Sequence, residues 1–377
     1  MRKSEDSMMD PYNFTNSPLN NNSKYEDYYE DYDEYTDLRK SVNIMSIIVY
    51  SLDFVLGVVG NGIVIWVTGF KMKRTVNTVW FLNLAVADFL FTFFLPLSVA
   101  YTAMGFHWPF GQFMCKFNST LSLINMFASV YILVVISVDR CLSVVCPIWA
   151  QNHRNVSRAS VVSFGVWLFA LVLSSPSFVF RETALHSNKI ICYNNFAFSD
   201  HNETLEVVEL RSIRHRAMII TRFIIGFVVP FVIIISCYAV IIHRLQRNRS
   251  MSGRTGRTLK IIAAVVTAFF ICWAPFHILV LIEMVNHTEM EYSSTLQYVT
   301  TVGIPIATSL AFLNSCLNPL LYVFMAQDFK VKVRKSILKV LETAFTEEAS
   351  RTNTCTNSIL TIQNKEKGSK SFSDAEV

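Results

Sequence analysis

The chain has 377 residues, of which 52% are hydrophobic and 16% charged, and its net charge is +5. A soluble domain could not cover that much apolar surface, and the net charge says less than where the charges lie. One membrane-embedded domain with polar tails accounts for the length.

Residues 1–41 lack the apolar core of a cleavable signal peptide, so the first span must direct insertion. The stretch from Tyr25 to Tyr35 alternates tyrosines with Glu and Asp. Dense negative charge with few aliphatics predicts a disordered acidic tail, either solvating or a docking strip for a basic partner, sharpened if the tyrosines are sulfated.

Seven apolar stretches follow, at 42–70, 78–104, 113–145, 157–179, 215–243, 258–286 and 295–325. Each is close to or above the roughly 20 residues that cross a ~30 Å hydrocarbon core. The expected fold is all-α, a seven-transmembrane helix bundle over 42–325. Pro96, Pro176, Pro230, Pro275, Pro305 and Pro319 mark expected kinks.

Orientation follows from Lys and Arg in the short loops. Lys71, Lys73 and Arg74 follow span 1; Arg154 and Arg158 follow span 3; and Arg244, Arg247, Arg249, Arg254, Arg257 and Lys260 follow span 5. The loop from Tyr101 to Phe113 has neither Lys nor Arg. The basic loops are expected in the cytoplasm, which puts the N-terminus outside. On that topology Asn13, Asn21 and Asn202 are accessible glycosylation sequons. Of eight cysteines only Cys115 and Cys192 fall in outward-facing segments, so one disulfide between them is expected.

Beyond span 7, residues 326–341 set Phe329, Val333, Ile337 and Leu338 against Lys330, Lys332, Arg334, Lys335 and Lys339. This spacing predicts a short cytoplasmic amphipathic eighth helix lying on anionic membrane lipids. Residues 342–377 are rich in Ser and Thr, a disordered tail open to phosphorylation.

Polar residues kept inside a bilayer carry a cost and so mark function. Asp88 lies deep in span 2, with candidate partners Asn61, Asn125, Ser129, Asn314, Ser315 and Asn318. Asn125 and Ser129 share one helical face, as do Asn314 and Asn318. A carboxylate ringed by amide and hydroxyl oxygens suits a small hard cation, sodium above others; the alternatives are an ion-free hydrogen-bond network or a protonated Asp88. At the inner end of span 3, Asp139 and Arg140 could form a two-state latch with Tyr238 and Tyr322 at similar depth. In Cys272-Trp273-Ala274-Pro275 an aromatic side chain precedes a kink, with Phe269 one turn away. Trp273 could lever span 6, or these rings could be packing alone.

Gly60-Asn61, Leu84-Ala85-Val86-Ala87-Asp88, Cys115, Asp139-Arg140, Trp167, Pro230 with Tyr238, Cys272-Trp273-Ala274-Pro275 and Asn318-Pro319-Leu320-Leu321-Tyr322 occur in this order. Together they resemble the rhodopsin-like G-protein-coupled receptors. Phe70 to Asn77, Gln151 to Arg154, Ser174 to Ala184, Leu245 to Arg249 and Gln327 to Lys330 further resemble the chemerin (chemokine-like) receptors, over roughly 45–340. The resemblance implies a plasma-membrane receptor for the C-terminal segment of a protein or peptide chemoattractant, chemerin or chemerin-like, active in chemotaxis. It also implies an inhibitory-type G protein, arrestin and receptor kinases as partners, and no nucleic acid. Arg181 and Arg222 match the family's ligand-facing cations, the alternative for Arg222 being a snorkelling cation. Glu283 either meets a polar or cationic ligand group or is a solvated helix end, and Trp273 belongs to the same ligand site. Arg222 lies six residues past Arg216, about 9 Å deeper at 1.5 Å per residue. Departures are Asp53 in span 1, Cys141 after Asp-Arg, no acid near Thr255, and a second outer loop lengthened through Ser199 to Ile213.

A transporter would need internal repeats, and the seven spans are unlike one another. An enzyme would need a reactive cluster, and His243, His277 and the cysteines lack metal-ligand spacing. A lipid-mediator or formyl-peptide receptor and a non-signalling scavenger share the same expected binding residues. No cofactor is expected apart from the sodium ion at Asp88.

Overall fold

The computed structural model describes residues 22–186, 188–197, 204–247, 252–286 and 294–325. In chain order the helices are α1 (Asn22–Trp66), α2 (Val76–Ala103), α3 (Gly111–Val145), α4 (Pro147–His153), α5 (Val156–Phe180), α6 (Leu205–Phe223), α7 (Val229–Arg247), α8 (Ser252–Asn286) and α9 (Ser294–Met325). A π-helical segment, Val67–Lys71, ends α1, and a second, Ile224–Val228, joins α6 to α7. Strands β1 (Arg181–His186) and β2 (Lys189–Asn194) pair antiparallel between α5 and α6. Seven helical runs are long and apolar enough to cross a membrane, including Glu206–Arg247 as one continuous span.

The apolar residues divide as a bilayer requires. Leu84, Met126, Ile132, Leu133, Ile136, Ile234 and Phe269 form a fully buried core around α3. On α1, Ile44, Ile48, Leu52, Val55 and Val59 are more than half exposed and recur every three or four residues. In water that stripe would be an aggregation surface; in a membrane it meets lipid tails.

Close approach of α1 to α2 depends on Gly57, where an added Cβ would stand 2.4 Å from Thr92 Cγ2. We expect Gly57→Ala to destabilise the bundle by about 1–3 kcal/mol, read as a lower unfolding temperature. An unchanged temperature would mean that the two helices can separate freely.

The long fifth span shows how a proline is accommodated. The Val229 amide donates to the Ile224 carbonyl, a π-type bond, and Pro230 has no amide to offer the next carbonyl. The Ile225 carbonyl is instead taken by the Tyr131 hydroxyl of α3 at 2.9 Å. An interhelical bond thus replaces the missing backbone donor.

Two regions differ from expectation. The acidic segment, expected to be disordered through residue 41, is helical from Asn22 onward and continuous with α1. Once the membrane span is helical, each further residue adds one hydrogen bond without a new nucleation cost. Residues 205–213, expected as loop, are the opening turns of α6, with Thr204 accepting from the Val207 amide as N-cap. The 326–341 amphipathic segment, Asn13, Asn21 and Asn202, residues 342–377 and the Tyr322 side chain lie outside the described residues.

Candidate functional site

Three polar layers run down the bundle, and the first lies at the end carrying the strands. Cys115 in α3 and Cys192 in β2 form a disulfide, as expected, pinning the hairpin across the top of α3. At the root of β1 the Arg181 guanidinium donates to Ser119 at 2.7 Å. The neighbouring Glu182 accepts from Asn195 at 2.6 Å and faces Gln112 at 3.4 Å. Arg222 occupies the last turn of α6, half-buried, its guanidinium 5.4 Å from the centre of the Phe276 ring. Such stacking favours the cation without satisfying its five N–H donors. Arg222 also lies within charge range of Arg181 and of Glu283. A carboxylate could fill the N–H donors that the ring leaves open.

Below Phe276 the rings form a column through α8. Phe276 meets Trp273 edge-on at 6.0 Å, and Trp273 stacks with Phe269 at 5.9 Å. Trp273 is 7% exposed and sits one turn below the cation, so it is a floor rather than a first contact. The sequence weighs His277 only as a metal ligand; it is buried among Phe223, Phe227, Trp273 and Phe276, and among the described residues its Nε2 has no partner.

The middle layer surrounds Asp88, which is fully buried. Asn318 Nδ2 donates to Asp88 Oδ2 at 2.8 Å. The Asn125 amide, with its nitrogen toward the carboxylate, donates to Asp88 Oδ1 at 3.2 Å and to the Ala87 carbonyl at 3.1 Å, and its oxygen faces Ser315 Oγ at 3.0 Å. Ser129 and Ser315 add hydroxyls around the same carboxylate. Asn314 Oδ1 and Asn318 Oδ1 are buried without a partner among the described residues. Of the predicted group, Asn125, Ser129, Ser315 and Asn318 converge on the carboxylate, and the Asn61 amide is tied to the Ser315 carbonyl at 2.9 Å. Orphaned amide oxygens beside a buried carboxylate are what a hard cation would bind. The donor set fits sodium.

Asp53, unexplained from sequence, has a partner here. The Cys316 thiol of α9 contacts its carbonyl at 3.2 Å and its Oδ1 at 3.4 Å. That contact ties α1 to α9 beside the Asp88 layer.

The third layer lies at the basic-loop end and adds a second cation to the expected Asp139–Arg140 pair. Asp139 and Arg140 are 3.6 Å apart, but the close partner of Asp139 is Arg154. Arg154 Nε reaches both carboxylate oxygens, at 2.9 and 3.1 Å. Both guanidinium groups also donate to the Asn77 side-chain oxygen. Arg154 follows α4 directly, so this short helix delivers a rival cation to the rim of α3. The sequence marked Arg154 only as loop charge, because nothing local shows how far α4 folds back. Tyr238 is near Arg140 in charge terms, and among the described residues its hydroxyl has no partner.

Residues 60–322 match the model of the 7 transmembrane receptor (rhodopsin family). The chain is 44% identical over 347 residues to "Chemerin-like receptor 1" of Homo sapiens, covering 90% of this chain and 91% of that one. It is 45% identical over 347 residues to the same-named protein of Sus scrofa, covering 88% and 93%. It is 41% identical over 327 residues to "Chemerin-like receptor 2" of Homo sapiens, covering 85% and 88%. Such relatives are signalling receptors rather than enzymes, and with seven spans the protein is a multi-pass plasma-membrane protein. The chain belongs to the rhodopsin family of seven-transmembrane, G-protein-coupled receptors, in the chemerin-receptor group.

Proposed function

We propose that this receptor binds the C-terminal segment of a chemerin-like protein attractant at its hairpin-covered end, and that this end faces outward. We further propose that its basic-loop end engages an inhibitory-type G protein. The carrying observation is Arg222, its guanidinium stacked on Phe276 within charge range of Arg181 and Glu283, at the head of an aromatic column. A peptide carboxylate would supply the missing bidentate acceptor. Pressing on Phe276 displaces Trp273 and Phe269 in turn, and these sit against the kink at Pro275. A ligand that prefers the displaced arrangement shifts the population toward it.

At the other end the same motion of α8 would uncover Arg140 and Tyr238 for the G protein, with Tyr322 expected to join them. Receptor kinases and arrestin would then act on the Ser- and Thr-rich tail. The deciding experiment is nucleotide exchange in membranes from expressing cells, challenged with attractant C-terminal peptides and, separately, with lipid mediators. Peptide-driven exchange supports the proposal. Exchange driven only by lipids reassigns the ligand, and peptide binding without exchange makes the protein a scavenger.

Sodium, when bound, would neutralise Asp88 and hold Asn125, Ser129, Asn314, Ser315 and Asn318 in their inward arrangement. Agonist binding is then expected to weaken as sodium rises, by about 5-fold or more if the coupling is ordinary for allostery. Asp88→Asn should make binding independent of sodium. Sodium dependence surviving in that variant would place the ion elsewhere.

A further inference from the structure

A cleft of about 300 Å³ opens between the π-helical end of α1, the start of α2 and the start of α5, at the basic-loop end. On α5, Val156, Ser160, Ser163 and Trp167 recur every three or four residues, so one helical face forms a continuous wall. From Val156 to Trp167 is eleven residues, about 16 Å at 1.5 Å per residue. That is close to half of a ~30 Å hydrocarbon core. The cleft is one leaflet long.

Its lining is graded along that length. Arg74 stands exposed at the mouth, and among the described residues no ion pair includes it. Lys71 and Lys73 flank the same mouth in sequence. Farther along, the Ser160 hydroxyl is spent on the Val156 carbonyl, whereas Ser163 is 3% exposed and its Oγ has no partner among the described residues. The deep end is Leu82, Phe164 and Trp167, with the indole N–H already given to Asn83 at 3.0 Å. A cation outside, an unanswered hydroxyl below it and an apolar floor are the features of a lipid in cross-section: phosphate, ester oxygen, chain. The π segment supplies room. A Cβ added at Gly69 would meet nothing within 4 Å.

We propose that this cleft is a binding site for one anionic glycerophospholipid, its phosphate on Arg74, an ester or glycerol oxygen accepting from Ser163, and the upper part of one chain against Leu82 and Phe164. A sterol would answer Ser163 but leave Arg74 unpaired, so the anionic lipid is the better match. That the cytoplasmic leaflet supplies it rests on the orientation proposed above; the site itself does not.

The full-length receptor would be placed in nanodiscs of phosphatidylcholine with phosphatidylserine in both leaflets, then released, and its retained lipids counted by native mass spectrometry. No ligand or G protein is present and both leaflets are alike, so failure of the proposed function or orientation could not affect the result. Wild type should retain phosphatidylserine over phosphatidylcholine. Arg74→Gln should lower that preference about tenfold, the value of one charge-assisted contact. Ser163→Ala should weaken retention without touching the charge, and Gly69→Val should block the cleft while the unfolding temperature stays that of wild type. The proposal falls if wild type retains the two phospholipids equally, or if Arg74→Gln and Ser163→Ala retain as wild type does. It falls also if cholesterol at equal mole fraction displaces phosphatidylserine, or if free glycerophosphoserine competes as well as the intact lipid.

Discussion

Arg140→Ala should abolish agonist-driven nucleotide exchange while labelled ligand still binds. Arg140 lies in the last turns of α3, far from the strand-bearing end, so ligand contacts should survive its loss. Besides Asp139 Oδ2 at 3.6 Å, its side-chain acceptor among the described residues is Asn77, shared with Arg154, and its Nε has no partner among them. It is therefore held weakly and can be offered to a protein docking from that side. The arrangement of the neighbours allows a sharper test. Asp139 is occupied by Arg154 through both oxygens. Removing the rival cation by Arg154→Ala should let Asp139 close on Arg140 and lower ligand-independent exchange. Asp139→Asn should free both cations and raise it. A charged hydrogen bond is worth roughly 1.5–3 kcal/mol, so each variant should move basal exchange by about tenfold in opposite directions. If the two moved it the same way, the competition between Arg154 and Arg140 for one carboxylate would be the wrong account. Retained signalling in Arg140→Ala would remove the residue from coupling altogether.

Arg222→Ala should weaken an attractant C-terminal peptide by at least about 30-fold, because truncating one member of a buried charged pair costs 2–5 kcal/mol. The same loss should follow from amidating the peptide's C-terminus in wild type. Combining the two changes should cost little more than either alone, since both remove one interaction. Glu283→Gln should act in the opposite sense. It withdraws the anion that shares Arg222 with the incoming carboxylate, so the peptide should bind as well or better. Binding constants for the four receptor–peptide combinations check the cycle. Full additivity would mean that Arg222 and the carboxylate never meet, and that the cation serves only to seat Phe276.

Much of the receptor was legible in one sequence because a bilayer is an unforgiving solvent. Every buried backbone group must be paired within the chain, so the seven long apolar runs could only be helices. Asp88 announced itself by cost alone, and its neighbours at four-residue spacing were found because helical faces can be counted. Cys115 and Cys192 were left as a pair by elimination. Less visible were matters that depend on where a connection goes. Arg154 looked like any loop cation until α4 carried it back to Asp139. Asp53 looked like an anomaly until α9 brought Cys316 against it. The opening turns of α6 looked like loop because Glu206, Glu209 and Arg211 interrupt the apolar residues there, yet they continue a helix that membrane insertion has already nucleated.

The sequence alone determined the number of spans, the residues too polar to lie in them without a purpose, and the family. These are one-dimensional facts, set by hydrophobic length and by helical periodicity. The tertiary structure decided which polar groups meet: Arg222 with the Phe276 ring, Arg154 with Asp139, Asn318 with Asp88. Pairing energies depend on distances of a few ångströms between helices far apart in the chain. No local pattern encodes such distances; they follow from how seven helices, with their π turns and prolines, pack together.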